Sequence, residues 1–256
     1  MNLSNNPVTA AGQLRAQLGW QYPEDFTLEE VANFLRIFVK SGNISSEGRI
    51  VMKSDTGIIT IREDISLQSK KNFIIAHEIA HFCLHKNLLA VFTDTHKTLS
   101  DWYRTGLQEQ EANQFASALL MPETLFRKRI DKQKLSVALI REVSAYFVVS
   151  MTAAFLKYVD IGRYPLMVIF IENGIVKWKK HSTDFPYTFL ELKSRVPAYT
   201  VAGDYFIHGR LEEAPEKIAA IEWFPDDFKC QKEPDTMLWE QCFQVSEYGL
   251  ISCLWV

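Results

Sequence analysis

The sequence predicts an α+β fold: a mostly helical N-terminal domain with a small β-sheet, a helix-turn-helix-like helical segment after it, and a sheet-rich C-terminal domain. Three observations predict it. Apolar residues recur at helical spacing through residues 7–19, 28–39, 69–85, 107–120 and 132–158. Short β-branched runs interrupt them between Gly48 and Ile65. Beyond Gly162 the texture turns strand-like. The expected boundaries are 1–130, 131–160 and 161–256.

Residues 7–19 and 28–39 read as two N-terminal helices. In the second, Leu28, Val31, Leu35 and Val39 share a face behind Thr27, with Glu30 three residues further on, the pattern of a capping box. The runs Arg49-Ile50-Val51-Met52 and Gly57-Ile58-Ile59-Thr60-Ile61, separated by Ser54-Asp55-Thr56, read as a hairpin. A long helix follows over about 69–85, then an irregular stretch over 86–105. The next helix, about 107–120, is closed by Met121-Pro122, because a residue before proline is biased away from the helical region. Two further helical patterns between 132 and 158 meet near Val149-Ser150-Met151, a helix-turn-helix shape. Then come the strand Leu166-Met167-Val168-Ile169-Phe170-Ile171, a turn at Asn173-Gly174, and the strand Ile175-Val176-Lys177-Trp178. Residues 201–209, 219–223 and 249–255 continue the strand texture.

With 256 residues, 47% of them hydrophobic and 23% charged, the chain has the length and composition of a globular protein with a substantial core. A formal net charge of −3 argues against general nucleic-acid binding, which usually carries a basic balance. The first twenty residues lack the basic segment and apolar run of a secretory signal. The longest uncharged apolar stretch, 143–156, falls short of the roughly 20 residues that a membrane-spanning helix needs. Cys83, Cys230, Cys242 and Cys253 have no metal-knuckle spacing, and three of them crowd the last 30 residues. They read as reduced, mostly buried thiols, and the chain as a cytoplasmic protein without a membrane partner.

The chemistry concentrates in Ala76-His77-Glu78-Ile79-Ala80-His81, an HExxH motif. Two histidines four residues apart project from the same side of a helix and can grip one zinc ion. Glu78, next to the first histidine, is angled toward the open coordination position, where it can take a proton from a water acidified toward a pKa of about 7. Phe73, Ile74, Ile75, Ile79, Phe82 and Leu84 make this helix apolar nearly all round, hence buried. Polar side chains in such a place are costly without a shared task, and metal ligation supplies one.

A catalytic zinc takes three protein ligands and keeps a fourth place open. The helix at 107–120 offers Glu109 and Glu111. Glu109 lies on the stripe of Ala112, Asn113, Ala116 and Leu120, whereas Glu111 shares the polar side with Gln114 and Ala118. Glu109 is therefore the expected third ligand, with Glu111 the solvated alternative; Ala112 and Ala116 permit close packing of the two helices. His85 continues the face of His77 and His81, but three histidines at successive steps of four span about 12 Å of helix axis, too far to share one ion. It reads as a residue behind the ligands or at the helix end. His96, in the intervening loop, and His181 and His208, in the distant domain, read as surface histidines.

The stretch Phe73-Ile74-Ile75-Ala76-His77-Glu78-Ile79-Ala80-His81-Phe82-Cys83-Leu84-His85, followed by Glu109-Gln110-Glu111-Ala112-Asn113-Gln114-Phe115-Ala116-Ser117-Ala118-Leu119-Leu120-Met121-Pro122, resembles the ImmA/IrrE family of bacterial and phage metallopeptidases. The resemblance covers about residues 1–160. It implies a zincin-like metallopeptidase domain in which His77, His81 and Glu109 bind zinc and Glu78 is the general base. It also implies a protein substrate, a helix-turn-helix repressor of the Xre type, whose cleavage relieves repression of a stress, prophage or mobile-element programme. The segment after 161 carries no motif that the resemblance explains, and the separate N-terminal DNA-binding domain of some members is missing.

Four further expectations complete the reading. The strand at 58–61, taken as a sheet edge, is a place for substrate backbone to add as a strand, or else simply part of a core hairpin. Tyr103 and His96 are candidate donors to a tetrahedral oxyanion. The rival function is a non-catalytic DNA- or protein-binding regulator with a structural zinc. Against it, Ser150-Met151-Thr152-Ala153-Ala154-Phe155-Leu156-Lys157 has almost no side chain suited to reading bases. A ligand-sensing role for the C-terminal domain is the remaining possibility.

Overall fold

A computed structural model describes residues 3–85, 91–93, 106–212 and 214–256. The chain divides into two compact units, one of residues 1–128 and 144–150, the other of residues 129–143 and 151–256. Residues 144–150 of the helical segment expected at 131–160 thus group with the first unit and its remainder with the second.

The first unit starts with α1 (Pro7–Leu18), which has proline in its first turn, where no amide proton is needed; Asn6 accepts from the Thr9 amide, and Gly19 closes the helix with φ 67°. The expected capping box opens α2 (Leu28–Phe34): Thr27 Oγ1 accepts from the Glu30 amide at 3.2 Å, and Glu30 accepts from the Thr27 amide at 2.8 Å. This helix is shorter than the 28–39 expected. Arg36 takes φ 61°, and the chain leaves as β1 (Ile37–Gly42), so Val39 sits on a strand. The local reason is that Ile37-Phe38-Val39 is β-branched and aromatic, and its burial alternates with a period of two.

The expected hairpin is β2 (Gly48–Lys53) and β3 (Thr56–Arg62), turning at Ser54-Asp55. β1 runs parallel to β3, opposite its other side, and a short β4 (Val91–Thr93) pairs with β2, giving the order β1-β3-β2-β4. β3 is therefore interior: its ladder groups are engaged on both sides, so the strand at 58–61 is not the edge that strand addition requires.

Helix α3 (Gln68–Leu84) is buried over most of its length, with Ile75, Ala76, Ile79 and Ala80 fully enclosed. It packs along α4 (Leu107–Leu120), which has the bounds expected from sequence. Ala112 and Ala116 are fully buried and let the two backbones approach. From the other side α1 anchors α4 through Arg15, whose buried guanidinium donates to the Leu119 carbonyl at 2.9 Å and the Gln21 carbonyl at 3.1 Å while stacking on Trp20. Three helices follow in sequence, α5 (Glu123–Ile130), α6 (Val137–Phe147) and α7 (Met151–Ile161).

The second unit is built on β5 (Leu166–Glu172) and β6 (Ile175–His181), joined by the expected turn, where Asn173 and Gly174 have φ of 52° and 71°. Next come α8 (Val201–His208), β7 (Glu216–Ala219), the short helices α9 (Ala220–Trp223) and α10 (Phe228–Lys232), β8 (Met237–Gln244) and β9 (Gly249–Trp255). The five strands form one antiparallel sheet in the order β6-β5-β9-β8-β7, with a core that includes Ile169, Ile171, Trp223, Phe224 and Leu250.

Two of the expected strands are helical here. Residues 201–208 form α8, started by Thr200, which accepts from the Gly203 amide at 2.9 Å, and ended by Gly209 at φ 70°. Its first amides, those of Val201 and Ala202, donate to the carboxylate of Glu240, a fully buried β8 residue, at 2.8 and 3.2 Å. Residues 220–223 form α9, and the strand there lies one step earlier, as β7. Cys83, Cys230, Cys242 and Cys253 form no disulfide with one another, and the last three are buried. No single helix among the described residues is long and apolar enough to cross a membrane.

Candidate metal centre

α3 places His77 and His81 one turn apart with their Nε2 atoms 3.0 Å from each other. α4, packed alongside, brings Glu109 to both, with Oε2 3.1 Å from His77 Nε2 and Oε1 3.4 Å from His81 Nε2. Donors held about 2.0–2.2 Å from one tetrahedral ion stand about 3.3–3.6 Å apart. The observed separations therefore suit a single ion with little adjustment, and these three residues form a group able to hold one. Two imidazole nitrogens and one carboxylate oxygen also leave a fourth position for solvent or substrate. His77 and His81 are 4% and 2% exposed, whereas the Glu109 side chain keeps 27% of its surface, so the group meets solvent on the α4 side.

The electrostatics suit a cation. Burial alone would raise the Glu109 carboxyl, but the neighbouring His77 and His81 outweigh it and hold the group well below the usual carboxylate range. Burial lowers His81, opposed by Glu109 and assisted by His77. At neutral pH the site therefore presents an ionised carboxylate and a neutral His81, the forms in which these groups bind a metal.

Each histidine is held from behind. His77 Nδ1 lies 3.0 Å from Asn113 Oδ1, one helical turn beyond Glu109 on the same α4 stripe. His81 Nδ1 lies 3.1 Å from His85 Nδ1, and His85 Nε2 lies 2.8 Å from Glu111 Oε2. Glu111, the alternative ligand by sequence, is thus half exposed on α4 and engaged with His85, outside the group formed with Glu109. From the sequence, Asn113 lies on the buried stripe four residues after Glu109, a spacing that the family resemblance uses to mark Glu109; the contact with His77 gives Asn113 a role of its own. His85 ends α3, its amide donating to the His81 carbonyl at 2.9 Å.

Glu78 is 1% exposed and sits against the start of β2. A side chain at Gly48 would place its Cβ 2.3 Å from Ile74 Cγ2 and 3.2 Å from Glu78 Oε1, so only glycine lets the strand lie this close. The candidate oxyanion donors His96 and Tyr103 lie outside the described residues. His181 and His208 belong to the second unit and have local neighbours there, the Ser182 carbonyl at 2.9 Å and Asp204 at 3.9 Å.

A buried HExxH helix flanked by a second helix that supplies a carboxylate, with a four-stranded sheet in the same unit, is consistent with an α+β zincin-like domain. Residues 35–157 match the peptidase family described as the IrrE N-terminal-like domain, consistent with an ImmA/IrrE family metallopeptidase. Among solved structures, the chain is similar to a Mycobacterium tuberculosis transcriptional regulator, with 14% identity and a TM-score of 0.66 over 99% of this chain and 77% of that one, a likeness of fold alone. No curated protein matches the chain.

Proposed function

We propose that the chain is a zinc-dependent endopeptidase that cleaves a helix-turn-helix repressor of the Xre type, relieving repression of a stress, prophage or mobile-element programme. The observation that carries the reading is the convergence, in a mostly buried setting, of His77 Nε2 and His81 Nε2, 3.0 Å apart, with the Glu109 carboxylate, whose Oε2 and Oε1 lie 3.1 and 3.4 Å from them in turn. Zinc bound there supplies Lewis acidity, polarising a carbonyl oxygen and acidifying water. His77 and His81 hold it as neutral donors, and Glu109 contributes the negative charge. Glu78 takes the proton of the attacking water and returns it to the leaving amine nitrogen.

The match to a metallopeptidase family supports a protein substrate, and the likeness to a transcriptional regulator supports a regulatory setting. The rival, a base-reading regulator with a structural zinc, is disfavoured by α7, which spends Ala154, Phe155, Leu156, Tyr158 and Val159 on packing. The same reading gives the sheet-rich 161–256 region a sensory or regulatory part, supported by its separate core. The test is co-expression with candidate helix-turn-helix repressors of the Xre type, comparing the native chain with Glu78→Gln. Cleavage by the native chain alone is the expected result. Equal cleavage by both would remove Glu78 as the base, and no cleavage by either would remove the substrate assignment.

A further inference from the structure

His85 and Glu111 have no part in the peptidase roles above, yet they sit directly behind a proposed ligand. His85 is 2% exposed, and both of its ring nitrogens are engaged: Nδ1 with His81 Nδ1 at 3.1 Å and Nε2 with Glu111 Oε2 at 2.8 Å. An ionised carboxylate only accepts, so the His85–Glu111 contact places a proton on His85 Nε2. A neutral imidazole carries one ring proton, which leaves His85 Nδ1 as a lone pair. The 3.1 Å contact between two Nδ1 atoms needs one proton, and His81 must then supply it. With its proton on Nδ1, His81 presents a lone pair at Nε2, toward His77 and Glu109.

His77 reaches the same tautomer by another route. Asn113 Oδ1 accepts from its Nδ1 at 3.0 Å, and again Nε2 is left as the lone pair. Two separate hydrogen-bond devices therefore turn both Nε2 lone pairs toward one point. An unconstrained imidazole divides its proton between the two nitrogens, so this ordering is a property of the residues behind the ligands.

We infer that Glu111 and His85 are positioning residues that lock the metal-binding tautomer of His81 and so set the affinity of the centre for its ion. The inference rests on the reading of His77, His81 and Glu109 as a metal centre. A role for His85 merely as the end of α3 would act through its backbone amide, which any residue supplies.

The experiment measures zinc and cobalt affinity of the full chain by competition with a chromophoric chelator, beside the melting temperature of each metal-free protein. His85→Ala is expected to weaken both metals by about 10- to 100-fold, the usual effect of removing such a partner. His85→Gln, whose side-chain carbonyl can accept from His81 Nδ1, is expected to recover most of that loss. Glu111 is half exposed, so Glu111→Ala should weaken binding a few-fold and Glu111→Gln less. If His85→Ala fails to fold, the Glu111 pair decides. Wild-type affinity in both His85→Ala and Glu111→Ala would overturn the inference while leaving the centre intact. A wild-type protein that binds no better than His77→Ala would overturn the metal centre itself, and the inference with it.

Discussion

Gly48→Ala tests how β2 and α3 fit together beside Glu78. The added Cβ would meet Ile74 Cγ2 at 2.3 Å, well inside any normal carbon–carbon contact, and Glu78 Oε1 at 3.2 Å. Ile74 is 3% exposed and Glu78 1%, so neither side chain has open space to retreat into, and the strand must lift or α3 must shift. Overpacking of this kind costs about 1–3 kcal/mol. The proposed ligands His77 and His81 lie one and two turns beyond Ile74 and are not among the atoms nearest the new methyl group. The expected signature is thus a loss of about 1–3 kcal/mol in urea denaturation, a fall in peptide cleavage, and unchanged zinc content. Placing the same change in an Ile74→Ala background removes the closer clash. Gly48→Ala should then cost less than in the native chain, a coupling read from the double-mutant cycle. A variant as stable and active as the native protein, or additive costs in the cycle, would refute the proposed packing.

Glu109→Ala should lose metal far more completely than Glu111→Ala, by equilibrium dialysis; the reverse order would exchange their roles. Arg15→Ala removes a buried charged donor from the Leu119 and Gln21 carbonyls and should destabilise the first unit by about 2–3 kcal/mol in chemical denaturation; a change within error would show that water replaces those bonds freely. The pH dependence has a definite sign. His81 is depressed below its ordinary value of 6.5, so the unfolded chain binds its proton first on acidification. The stability linked to neutral His81 is full above pH 6.5 and drains away below it. Glu109, also depressed, adds a second loss only below its ordinary 4.5. Denaturation of the metal-free protein between pH 7.5 and 5.5 should show falling stability that flattens in His81→Ala; a rise toward acid would contradict the assignment.

The candidate site was legible because its geometry is local. A spacing of four residues puts His77 and His81 on one helical face, and helical phase alone separates Glu109 from Glu111 on α4. The partners behind the ligands were less so. Asn113 and His85 stand at the right spacings, but only packing of α3 on α4 shows what each nitrogen meets. Elsewhere the sequence misled where short apolar runs fit two periods. Leu28, Val31, Leu35 and Val39 satisfy a helix, yet Ile37 and Val39 also satisfy a strand, and parallel pairing of β1 with β3 decides between them. That pairing also moves β3 from the edge to the interior. Residues 201–208 read as a strand because the carboxylate that receives the first α8 amides belongs to Glu240, some forty positions later, beyond the reach of any local pattern.

The central claim, one zinc ion held by His77, His81 and Glu109, is most directly tested by elemental analysis of the purified chain. One equivalent of zinc is expected in the native protein and in Glu78→Gln, with little in His77→Ala, His81→Ala or Glu109→Ala. A native protein without bound metal, or ligand variants that retain a full equivalent, would contradict it.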